Sequence, residues 1–292
     1  MLTPVTALDV RCTLGEGPVW DADRKAIWWV DIIPGRIHCL YTETGKHRTL
    51  EIGVMVGAVA LRENGGLIGA LRSGFCFIDP ETGECTPIAN PEANVEGNRF
   101  NDGKVDPQGR FWAGTMSMND EPKKGALYML ERDGTVQRRL DNISISNGLA
   151  WDSESSVKFY IDTPTMEVRA FDYDRITGEI SDGRTVITIP PELGDPDGMT
   201  IDAEGMLWIA HWDGWQITRW NPKTGEQLRK IELPVGRVTS CTFGGADLDD
   251  LYITSARVGL SKDDLEQQPL AGSLFVIKNC GYRGLAPHRY AG

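Results

Sequence analysis

The chain has 292 residues, 40% of them hydrophobic and nine of them tryptophan, so it can bury a large core and intrinsic disorder is excluded. Its formal net charge of −12 argues against a nucleic-acid partner, which would need clustered Lys and Arg to neutralise phosphates. No linker, charge block or low-complexity tract divides the sequence, and one domain over residues 1–292 is expected.

The opening Met1-Leu2-Thr3-Pro4-Val5 lacks the basic start and apolar run of a secretory signal. No stretch reaches the roughly 18 apolar residues that span a bilayer, so a cytoplasmic protein without a membrane partner is expected. Short apolar runs then begin at residues 27, 67, 111, 159, 207 and 251, spaced 40 to 48 residues apart. Ile27-Trp28-Trp29-Val30-Asp31 is the first and Leu251-Tyr252-Ile253-Thr254-Ser255 the last. Most are rich in β-branched and aromatic residues and bounded by turn residues, which predicts strands. Several are followed by a further strand and a tight turn in which Gly45, Gly83, Gly178 or Gly225 supplies a positive φ. No long segment shows apolar positions at helical spacing. The fold class this pattern predicts is all-β, a six-bladed β-propeller with four-stranded antiparallel blades.

Ahead of each run lies another element, opening at Gly17, Gly57, Gly103, Gly148, Gly198 and Ser240. In a propeller the first strand of every blade lines the central channel, so the residues opening these strands meet near the axis. The residues just before them are Glu16, Val56, Asp102, Asn147, Asp197 and Thr239. Four of these, Glu16, Asp102, Asn147 and Asp197, could offer a strong oxygen ligand, and converging carboxylates repel unless a cation neutralises them. Each pair such as Asn147-Gly148 is, taken singly, as well explained by a turn. Recurrence at equivalent places in different repeats is what points to a metal. Glu16, Asn147 and Asp197 would supply two carboxylates and one amide oxygen. That set suits Ca²⁺, Mg²⁺ or Mn²⁺, admits Zn²⁺ or Fe²⁺ with bound waters, and leaves positions open for water and substrate.

Other residues carry less. His211 ends an aligned run with no partner in register and reads as structural. Asp102 can equally order the loop around Asn101 through backbone hydrogen bonds, and this reading alone does not exclude it as a ligand. The six cysteines show no CxxC spacing and read mostly as core thiols; Cys76 and Cys85 flank one hairpin but are expected to stay unpaired. No GxGxxG run is present.

The segments Leu14-Gly15-Glu16-Gly17-Pro18-Val19-Trp20, Asn98-Arg99-Phe100-Asn101-Asp102-Gly103-Lys104, Ile145-Ser146-Asn147-Gly148-Leu149-Ala150-Trp151 and Pro196-Asp197-Gly198-Met199 resemble the regucalcin and gluconolactonase family. The likeness covers nearly the whole chain, down to a tail over 287–292 like that of animal members. It implies a six-bladed propeller with one divalent ion held by Glu16, Asn147 and Asp197. It also implies Asp197 as the base and Arg99 and Asn101 as contacts to substrate hydroxyls. Members close to regucalcin carry an acidic substrate contact where Asn119 aligns, in a loop over 117–124 that is shorter here. Asp120 or Glu121 could take that role.

The function expected is metal-dependent hydrolysis of a small-molecule sugar lactone by a monomer or weak homodimer, with organophosphate hydrolysis as a side activity. Two other readings are a calcium-binding regulatory protein, which no EF-hand loop supports, and a protein-interaction scaffold that would leave the axial carboxylates idle.

Overall fold

Every one of the six apolar runs forms the second strand of its own four-stranded antiparallel sheet in the computed structural model, which describes residues 2–292. The sheets form six blades in chain order, I to VI, and the molecule is a six-bladed β-propeller. The innermost strands are Gly15–Asp21, Val56–Leu61, Asn98–Val105, Ser146–Trp151, Asp195–Ile201 and Val238–Gly244. Blade VI is completed by the N-terminal strand Val5–Leu8, which pairs antiparallel with Leu274–Ile277 and so closes the ring.

Burial falls from the axis outwards. Ala26–Asp31, second in blade I, is buried at every residue, whereas Glu226–Glu232, outermost in blade V, is exposed at all but Ile231. Second strands are packed on both faces by neighbouring blades, which is why they read as continuous apolar runs instead of alternating. The hairpin glycines Gly45, Gly83, Gly178 and Gly225 all have φ between 68° and 78°, as their turns demand. All six cysteines are free, Cys76 and Cys85 included.

A repeated device ties turns to the core. Asp106 and Asp202 lie in the turns after the inner strands of blades III and V. The Oδ2 of Asp106 accepts from Trp112 Nε1 (2.9 Å), Arg110 Nε (2.7 Å) and Tyr173 Oη (2.7 Å). The Oδ2 of Asp202 accepts from Trp208 Nε1 (2.9 Å) and Arg219 Nε (2.7 Å). Each carboxylate thus satisfies an indole and a guanidinium that are both buried against the next blade. Among the described residues no helix is long and apolar enough to cross a membrane; the single α-helix, Lys262–Gln267, sits in a loop of blade VI behind a Ser261 capping box.

Arg110 and Asp106 are only 1% and 0% exposed, so removing one partner strands a buried charge. Asp106→Ala is expected to lower stability by about 3–5 kcal/mol in denaturant unfolding; a loss under about 1 kcal/mol would contradict this role.

Candidate active site

The inner strands bring the residues in this register to the axis through a shared irregularity. In all six blades the register between first and second strand shifts at the residue in question or the one beside it: Glu16/Val19, Val56/Ala58, Phe100/Gly103, Asn147/Leu149, Pro196/Met199 and Val238/Ser240. A bulge bends the strand and re-aims a side chain, here towards the axis. Of the glycines that follow, Gly57, Gly103, Gly148 and Gly198 have a packing reason, and Gly17 holds a left-handed φ of 50°. A Cβ on Gly148 would lie 2.8 Å from Met199 Cβ and 3.0 Å from the Asp197 carbonyl oxygen, so blades IV and V could not approach as they do.

Glu16, Arg99, Asn101, Asn147 and Asp197 line one cavity of about 520 Å³. Glu16, Asn101, Asn147 and Asp197 are buried at its floor. Asp102 does not join them. It lines a separate, smaller axial cavity with Lys104 and His288, and its Oδ1 accepts from the Gly103 amide at 2.7 Å. The structure therefore divides the four oxygen donors in register into three facing the larger cavity and one facing the other side.

A hydrogen-bond chain fixes how these groups point. Thr163 Oγ1 donates to the Pro196 carbonyl (2.8 Å), so it must accept from Asn147 Nδ2 (2.8 Å). That sets the Asn147 amide with Oδ1 on the other side, where it accepts from Asn101 Nδ2 at 3.0 Å. Asn101 Nδ2 also donates to the Ser146 carbonyl (2.9 Å), and its Oδ1 accepts from Arg99 Nη1 (2.7 Å). The chain joins blades III, IV and V. Thr163, one residue past the strand Val157–Asp162, was not singled out from the sequence, because its role depends on a bond to a neighbouring blade.

The carboxyls of Glu16 and Asp197 are within hydrogen-bonding reach of each other. Burial, with the neighbouring Asp102, pushes Glu16 up to about 8, against its Gly17 amide bond (2.8 Å) and the nearby Arg99. Burial and the Glu16 charge push Asp197 well above the usual carboxylate range. Arg99 is drawn down to about 10 by burial and held from falling further by Glu16, Asp120 and Asp197. Without another cation, burial and mutual repulsion favour the protonated form of the pair. Two buried oxygen acids that repel, plus an amide oxygen held by its own network, are a donor set suited to one hard divalent ion.

Asn119 is exposed and is not among the residues lining the cavity, whereas Asp120 is, at a left-handed φ of 55°. Arg237 also lines it, over the Trp212 ring at 4.7 Å and donating to Asp213 Oδ1 (3.0 Å). Neither Trp212 nor Arg237 carried a sequence signal. His211 points elsewhere: Nε2 lies 2.6 Å from Thr218 Oγ1, and burial pushes the ring down to about 4.

Comparison with known proteins places these residues among relatives. The family model described as "SMP-30/Gluconolactonase/LRE-like region" matches residues 14–257. Regucalcin of Oryctolagus cuniculus is 40% identical over 98% of this chain and 97% of its own length, and regucalcin of Danio rerio is 41% identical over 99% and 100%. The crystal structure of a calcium-binding protein, regucalcin from Agrobacterium tumefaciens, superposes with a TM-score of 0.94 at 28% identity, covering 98% of this chain and 97% of that one.

The protonation favoured at Glu16 and Asp197 has a measurable consequence. A carboxyl raised from 4.5 to about 8 binds more protons folded than unfolded, so its contribution is full below pH 4.5 and is lost as pH rises through about 8. In chelator, the thermal unfolding midpoint should fall across that window, and Glu16→Gln should flatten the fall; an unchanged pH dependence in Glu16→Gln would contradict the coupling.

Proposed function

We propose that this chain, which belongs to the SMP-30/Gluconolactonase/LRE-like family, is a metal-dependent lactonase that opens a sugar lactone to its aldonic acid at the axial cavity. The observation that carries this reading is the meeting of two buried carboxyl groups with a fixed amide oxygen and an arginine in one cavity of about 520 Å³. A cavity of that size falls within the range that takes small-molecule ligands.

Glu16, Asn147 and Asp197 would hold one divalent ion, of the Ca²⁺, Mg²⁺ or Mn²⁺ type by their all-oxygen chemistry, with Zn²⁺ and Fe²⁺ also accommodated. Bound there, it would polarise the ester carbonyl and stabilise the negative charge developing on its oxygen. The protein's own groups supply the rest. Asp197 takes a proton from the attacking water, whose oxygen bonds to the carbonyl carbon; as the ring C–O bond breaks, the ring oxygen leaves as a hydroxyl by taking that proton from Asp197, and the carboxylic acid formed then ionises. Arg99 has Nη1 committed to the Phe100 carbonyl (3.0 Å) and to Asn101, which leaves Nη2 and Nε for sugar hydroxyls. Asn101 contributes chiefly by orientation, since it already makes three contacts, with one oxygen lone pair left for substrate. Asp120 offers the acidic acceptor on the cavity wall that Asn119, outside the lining, is less well placed to give. Met116, Met118 and Trp212 give the cavity apolar walls against which a sugar ring can lie.

Asp197→Ala should lower kcat for gluconolactone by at least about 10²-fold, the scale of a lost general base. Arg99→Gln should chiefly raise KM. Near-parental turnover in Asp197→Ala, measured as proton release on a folded protein, would overturn the assignment.

A further inference from the structure

Blade I carries a second donor set, away from the axial cavity. The sulfur of Cys12, a carboxylate oxygen of Asp31 and a ring nitrogen of His38 all lie within 4.8 Å of one another. They come from three segments: the stretch before Gly15–Asp21, the end of Ala26–Asp31, and the strand Arg36–Tyr41. All three residues are at most 3% exposed.

His38 is held in place without using its whole hydrogen-bonding capacity. Its ring stacks on Trp29 and His47, with centroids 5.1 and 5.2 Å away. Nδ1 lies 3.1 Å from both His47 Nε2 and Thr49 Oγ1. Nε2 is enclosed and has no partner among the described residues. An enclosed nitrogen without a partner is costly in a native core and calls for an explanation. Asp31 is fixed too: Oδ2 accepts from the Thr13 amide (3.0 Å) and Oδ1 from the Leu14 amide (2.8 Å), with lone pairs remaining on both oxygens.

We propose that Cys12, Asp31 and His38 form a structural site for a thiophilic divalent ion of the Zn²⁺ class, separate from the axial site. A thiolate, an imidazole and a carboxylate are the donors such an ion selects, whereas the axial set is all oxygen. Anchoring of Nδ1 by His47 and Thr49 is the outer-sphere arrangement that leaves Nε2 free to ligate. Charge balances as well. Binding exchanges the Cys12 thiol proton for the ion, one thiolate plus one carboxylate then neutralise two positive charges, and a water carried in with the ion would complete four-coordination. Arg36, whose charge reaches Asp31 and Cys12, is itself paired with Glu51 (2.9 Å). The ion would brace the Leu14 amide through Asp31, two residues ahead of Glu16.

The test is a Co²⁺ titration of chelator-stripped full-length protein, followed by the near-ultraviolet thiolate-to-metal charge-transfer band. The expected result is a band saturating at one Co²⁺ per chain, bleached by Zn²⁺, lost in Cys12→Ser and His38→Gln and kept in Asp197→Asn. Absence of a thiolate band in the wild-type protein overturns the proposal whatever the variants do. A band that survives intact in folded Cys12→Ser overturns it too, because the thiolate would then be another cysteine.

Discussion

Like charges gathered in a space that water scarcely reaches set the terms for the rest of this molecule. Two unit charges about 4 Å apart repel by about 4 kcal/mol at an effective dielectric near 20, a large share of the roughly 5–15 kcal/mol that holds a typical domain folded. Glu16 and Asp197 stand close enough to share a proton, and Asp102 adds its charge from the other side of the axis. A proton, the Arg99 guanidinium or a bound ion can each relieve the repulsion. A divalent ion would do so with both carboxylates ionised, the state that the proposed base role of Asp197 needs.

Holding such groups together requires a frame that cannot relax, and the propeller supplies it by closure. The strand Val5–Leu8 hydrogen-bonds into the last blade, so no blade can swing outwards without breaking a sheet. Asp106 and Asp202 lock the first turns of blades III and V to buried tryptophans and arginines. The Arg99–Asn101–Asn147–Thr163–Pro196 chain then orients the donors at the centre, where the geometry matters most. Its coherence comes from the single hydroxyl hydrogen of Thr163, which can go only to the Pro196 carbonyl and so dictates the Asn147 amide.

Much of this was legible in the sequence because a propeller repeats. The six apolar runs are second strands, packed on both faces, and the residues before Gly17, Gly103, Gly148 and Gly198 are brought to the axis as their register implies. Register alone could not separate Asp102 from Glu16, Asn147 and Asp197, since which cavity a side chain enters depends on how the bulge turns it. Nor could it choose between Asn119 and Asp120, because the loop over 117–124 lies outside the repeat, and only the structure shows that Asp120 lines the cavity. Thr163 and Arg237 belong to segments between strands, where no period applies, and Trp212 ends the second strand of blade V, Leu207–Trp212, beyond the part that the repeat marks. The Cys12, Asp31 and His38 cluster was invisible for a related reason: its members share no spacing, and only the pairing of three segments of blade I unites them.

Metal dependence of lactone hydrolysis is the claim on which this account turns. Its most direct measurement is the initial rate of proton release from gluconolactone by chelator-stripped protein, with Ca²⁺, Mg²⁺, Mn²⁺, Zn²⁺ or Fe²⁺ added back singly. The expected rate is at background without metal and is restored by at least one of these ions. Full activity in the stripped protein, or no hydrolysis with any ion, would contradict it.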